Sequence, residues 1–77
     1  MSANIVGRRM RIARAMKTPP MSQQKLLAKL QTEGIDISQS TLSKIETGDR
    51  YVKDTELKAI AKVLEVSLLW LMEEAEG

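Results

Sequence analysis

The chain is divided into short pieces by its own stop and start signals. Thr18-Pro19-Pro20 ends any helix before it, because a residue preceding proline is pushed out of the helical region and Pro20 has no N–H to donate. Ser22, Ser38 and Ser67 stand where a hydroxyl can accept from the free N–H groups of a first turn. Gly34 and Gly48 stand where a left-handed residue closes a helix. Between these marks the apolar residues recur at helical spacing. Ile35-Asp36-Ile37 is the one stretch that reads as extended, and it has no strand of comparable length to pair with. The expected fold class is all-α: a compact five-helix bundle.

The first helix is expected over residues 4–17, with Asn4 as its cap. Val6, Met10, Ala13 and Lys17 fall at i, i+4, i+7 and i+11, and Ile5, Ile12 and Met16 widen that stripe. Gly7 weakens its first turn. The second helix, about 22–33, has Met21 and Leu26 as a staple pair and Leu26, Leu27, Ala28 and Leu30 as its buried side. The third, about 38–47, has Ile37 and Leu42 as its staple. A fourth starts from Asp54 or Thr55 as cap and repeats Leu57, Ile60, Ala61 and Leu64 at i, i+3, i+4 and i+7. A short fifth, Leu68 to about Glu74, is apolar almost all round, with Trp70 expected in the core and Leu69 and Met72 to spare for a partner. The linkers are short, so residues 1–77 are expected to form a single domain.

A core of this size is worth roughly 3–5 kcal/mol without staples. The chain has 0 cysteines and 0 histidines, so it has no disulfide, no thiolate for zinc and none of the usual acid–base side chains. No catalytic residue, metal site or cofactor is expected, and the chain is not expected to be an enzyme. No apolar run is long enough to cross a membrane, and the first residues lack the apolar segment of a signal peptide. A soluble intracellular protein is expected. The net charge of +2 conceals an asymmetry: Arg8, Arg9, Arg11, Arg14 and Lys17 face no acid before Met21, whereas Lys58 and Lys62 are the only bases after Lys53. The arginine-rich start either solvates a helix face or attracts a polyanion. The acidic end reads as a solvated face.

On the third helix, about 100° per residue puts Leu42, Ile45 and Glu46 on one side and Gln39, Ser40, Ser43, Lys44 and Thr47 on the other. Amides, hydroxyls and one ammonium suit base edges in a nucleic-acid groove. Glu46 sits toward the apolar side, where an unpaired carboxylate is costly, and an arginine of the first helix would satisfy it in a fork. In the loop that follows, Tyr51 is expected half-buried in packing, with stacking or donation to a phosphate as the second reading.

These residues resemble a family. Ser22-Gln23 with Leu27-Ala28, and Ile37-Ser38-x-Ser40-Thr41-Leu42-Ser43-Lys44-Ile45-Glu46-x-Gly48, look like the lambda-repressor/Cro-type helix-turn-helix. Leu57-x-x-Ile60-Ala61-Lys62-x-Leu64-x-Val66-Ser67, Trp70-Leu71 and Val6-x-x-Arg9-Met10-Arg11-x-x-Arg14 continue the likeness over most of the chain. The resemblance implies a transcriptional regulator, a repressor that binds a near-palindromic operator in double-stranded DNA as a homodimer, cytoplasmic and of prokaryotic or phage type. It implies that Gln39, Ser40, Ser43 and Lys44 read bases and that Ser38 approaches a thymine methyl. It implies phosphate contacts from Gln23, Thr47, Arg50 and Lys53, and a structural pair between Arg14 and Glu46. The stretches Lys17–Met21 and Ala28–Ser38 are longer than the family's pattern, which leaves the docking angle of the third helix open. The chain ends where either a small complete regulator or the DNA-binding piece of a longer repressor would end. A protein-binding module, antitoxin-like or a co-regulator, would use the same fold through its apolar fifth helix.

Overall fold

The computed structural model describes residues 3–73. Five helices follow one another: α1 (Ala3–Ala15), α2 (Gln23–Thr32), α3 (Gln39–Thr47), α4 (Asp54–Leu64) and α5 (Leu68–Met72). No strand occurs among the described residues, and the connection 35–37 has no regular structure. α1 packs on α3, α4 and α5, and α2 packs on α3 and α4. Val6, Met10, Leu26, Leu30, Leu42, Ile45, Ile60, Leu64 and Leu71 are fully buried between them.

The local signals act as single residues. Ser22 accepts from Lys25 N–H at 3.0 Å, Ser38 from Thr41 N–H at 3.1 Å and Ser67 from Trp70 N–H at 3.0 Å. Gly34 and Gly48 take positive φ, and Ile35 and Asp49 donate back across them to Leu30 O and Lys44 O at 3.0 and 2.8 Å. α4 closes the same way at Glu65, whose φ is +61°, with Val66 N–H on Ala61 O at 3.0 Å.

Several expectations shift. α1 includes Asn4 in place of starting after it, and ends at Ala15. Its last turn is cut short because Arg14 O accepts from both Lys17 N–H, at 3.3 Å, and Met21 N–H, at 2.9 Å, which folds the proline loop back. Ile12, Met16 and Ala28 are exposed, because one side of each helix already fills the space available. The cap of α4 is Lys53, one residue before Asp54, because the Glu56 carboxylate accepts its N–H at 2.9 Å. Glu74 lies outside the described residues.

Gly7 has a reason that lies in α3. A Cβ built there would stand 2.6 Å from Glu46 O and closer still to Ile45 O. The two helix backbones therefore touch at this point, and only a residue without a side chain permits it.

Candidate nucleic-acid interface

α3 is fixed by its inner side. Leu42 and Ile45 are fully buried, and Glu46 is only 2% exposed. A carboxylate in that position needs donors, and it has three. Arg14 donates Nε–H to Oε2 and Nη2–H to Oε1, both at 2.7 Å, and Gln23 donates Nε2–H to Oε1 at 2.9 Å. Arg14 also donates Nη1–H to Met21 O at 2.8 Å. One guanidinium thus ties α1, the loop before α2 and α3 together, and Gln23 adds α2.

Gln23 passes the network to the outer side of α3. Its Oε1 accepts from Ser43 Oγ at 3.2 Å and lies 3.4 Å from Gln39 Nε2. The amide is therefore turned into the cluster at the start of α2, and it touches two of the four side chains expected to read bases. The sequence offered no signal for this, since Gln23 and Ser43 are twenty positions apart.

The outer side of α3 presents Gln39, Ser40, Lys44 and Thr47 to solvent, with Ser43 half-buried beside them. Lys44 makes no ion pair among the described residues. Thr47 Oγ lies 3.2 Å from Lys44 O and 2.9 Å from the Asp49 carboxylate, and its single proton serves one of them at a time. Ser38 spends its hydroxyl oxygen on the helix cap.

The loop after Gly48 has its own fork. Arg50 donates Nη1–H and Nη2–H to the two oxygens of Glu56, each at 3.1 Å. Burial alone pushes the Glu56 carboxyl up. The Arg50 hydrogen bonds, the Lys53 N–H and the charges of Arg50 and Lys53 outweigh this and hold it below the usual carboxylate range. Arg50 is thereby an anchor of the loop, in addition to the phosphate contact that the resemblance implied for it. Glu56 was not singled out from the sequence. A glutamate three residues after the cap was the available sign, hidden because Asp54 is itself a good capping residue. Lys53 keeps its side chain exposed, and Tyr51 is 74% exposed, not packed.

Trp70 is half-buried against the core, with the Arg9 guanidinium 4.7 Å from its ring centroid. Arg9 Nη2–H also donates to Glu73 O at 3.3 Å. Arg8 and Arg11 remain exposed. No helix among the described residues is long and apolar enough to cross a membrane.

A short helix locked from behind, showing a row of amides, hydroxyls and an ammonium in front, with a second helix starting beside it, defines a DNA-binding helix-turn-helix regulator. A protein-family model described as helix-turn-helix matches residues 21–71 of the 77, which takes in α2, the connection, α3, α4 and most of α5. The chain belongs to the lambda-repressor/Cro-type helix-turn-helix family. Searches of curated proteins and of solved structures return no match.

Proposed function

We propose that this chain is a repressor that occupies a near-palindromic operator as a dimer, with α3 in the major groove. The observation that supports this most is the division of α3 into a locked inner side and an outer side of Gln39, Ser40, Ser43 and Lys44. In this reading those four side chains read bases, and Ser38 brings its exposed methylene toward a thymine methyl. Thr47 and Lys53 meet phosphates. Gln23 and Arg50 act mainly by orienting Gln39 and the loop, with their spare N–H groups turned to the backbone. Dimerisation is supported by α5, where Leu69 is 71% exposed and Leu68 and Met72 line an apolar cleft of about 240 Å³ with Leu57, Asp54 and Lys58. Asp54 and Lys58 of two such faces complement each other across a two-fold axis. The role places the chain on DNA in a prokaryotic or phage-type cytoplasm.

Selection of bound sequences from a random duplex pool tests the reading. The expected outcome is an enriched near-palindrome with half-site centres about one turn, roughly 34–36 Å, apart. Recovery of unenriched DNA, or binding that barely changes with salt, would sink it and favour a protein-binding module working through α5.

A further inference from the structure

α1 carries apolar residues on two sides, and only one of them is used. Val6, Met10 and Ala13 fill the core. On the other side Ile12 is 40% exposed and Met16 66%, with Ile5 half-buried. Ile5, Ile12, Ala15 and Met16 lie along one stripe, and Arg8 sits within it. At 100° per residue this stripe is turned roughly 80–180° from Gly7, where α1 touches α3. It therefore points away from the recognition helix. Single exposed apolar residues mean little, but residues 5, 8, 12 and 15 alternate steps of three and four, the spacing by which one helix lies along another.

The charges around the stripe select among occupants. Three of the five cations of this segment are engaged within the bundle: Arg9 on Trp70, Arg14 on Glu46 and Lys17 on Glu65 at 3.1 Å. Arg8 and Arg11 are exposed and make no ion pair among the described residues. A second copy laid on this stripe would bring the arginines of both chains together, which is unfavourable. The α4–α5 face, which carries Asp54 and Lys58, has no such conflict. Duplex DNA would satisfy the arginines but not Ile12 and Met16. An acidic helix with an apolar edge satisfies both.

We propose that the outer stripe of α1, Ile5, Arg8, Ile12, Ala15 and Met16, with Arg11 flanking it about 40° from Gly7, is a docking site for an acidic amphipathic helix of a partner protein. The partner covers Ile12 and Met16 with its apolar edge and pairs carboxylates with Arg8 and Arg11. Because the stripe faces away from α3, the partner and DNA bind together, so the site serves a co-regulator and not a competitor of the operator.

The test uses a synthetic amphipathic helical peptide about four turns long, with leucines along one edge flanked by glutamates, and a matched peptide with lysines for glutamates. The whole chain is titrated with each and followed by amide NMR. The acidic peptide is expected to bind with Kd on the order of 10–100 µM and to shift Arg8, Ile12 and Met16. Ile12→Glu is expected to weaken it at least roughly tenfold, with Tm and affinity for a duplex unchanged. Equal binding of the lysine peptide, shifts centred on α5, or no saturation at millimolar peptide would each overturn the proposal. So would loss of duplex binding in Ile12→Glu, or self-association of the chain that Ile12→Glu abolishes.

Discussion

Two arginine–glutamate forks flank the recognition helix, and they differ in what they join. Arg14 and Glu46 are 32 positions apart and close at 2.7 Å on both arms, between α1 and α3. Arg50 and Glu56 are 6 positions apart and close at 3.1 Å on both arms, within one loop and the turn after it. In the first, Arg14 is largely shielded and Gln23 adds a third donor to the carboxylate. In the second, Arg50 is nearly a third exposed and the third donor is a backbone N–H. The first fork fixes how α3 sits on the bundle. The second fixes a surface loop. Similar chemistry therefore carries different energy, because burial and sequence separation differ.

The largest expected effect follows from breaking the first fork on one side. Arg14→Ala leaves a buried carboxylate with Gln23 as its remaining donor and should cost about 3–5 kcal/mol, close to the whole stability of a domain this small. Circular dichroism at 25 °C should show a largely unfolded chain. Removing both charges, with Arg14→Met and Glu46→Leu, should restore helicity. A single variant that lost less than about 1 kcal/mol would show that the two forks are equivalent after all.

Gly7→Ala attacks the same junction through the backbone. Overpacking against Ile45 O and Glu46 O should cost about 1–3 kcal/mol, reduced by up to about 1 kcal/mol of helix propensity gained. A urea midpoint equal to or above that of the parent would mean that α1 and α3 can separate freely.

Each fork also presents a lysine, and on the proposed function the two should fail differently. Lys44→Ala should cost about 1–3 kcal/mol on the preferred site and change which sequence is preferred. Lys53→Ala should weaken binding to all sequences alike and lower the salt slope by roughly one. Fluorescence anisotropy on specific and random duplexes at several salt concentrations separates the two. Equal losses from both variants on both duplexes would remove the base-reading role from Lys44.

The smallest effect belongs to the second fork and depends on pH. The Glu56 carboxyl is held below its ordinary range, so it binds protons less readily in the folded state than in the unfolded one. Its contribution is complete above the ordinary glutamate range and is lost as pH falls through the lowered value. Glu56→Gln should cost about 1 kcal/mol at neutral pH and nothing further on acidification, so the stability curves of parent and variant should converge toward low pH. Curves that stay parallel would show that the fork contributes nothing the pH can remove.

The helices were legible because their ends are written locally, in Ser22, Ser38, Ser67, Gly34 and Gly48. The polar row of α3 was legible because one helix turn brings Gln39, Ser40, Ser43 and Lys44 to one side. What the sequence hid depends on a second element. Gly7 looked like a weakness until the backbone of α3 was set against it. Gln23 looked free until Glu46, Gln39 and Ser43 came within its reach. The Arg50–Glu56 fork was hidden because Glu56 follows a cap displaced by one residue. Ile12 and Met16 looked like core because a helical stripe gives its direction but not its width.

The Arg14 guanidinium reaches α3 directly and holds Met21 O with its remaining arm. The seat of the third helix is thus held by a side-chain lock that also takes in Met21 of the first spacer. Within the spacers, Met21, Ile35 and Ile37 pack on the core and Ser38 caps α3, so these residues belong to the seat of α3 and the exposed Thr18, Pro19, Pro20 and Asp36 do not. On the proposed function, Gln39, Ser40 and Lys44, none of them buried, are the positions where a change of sequence preference should cost folding least.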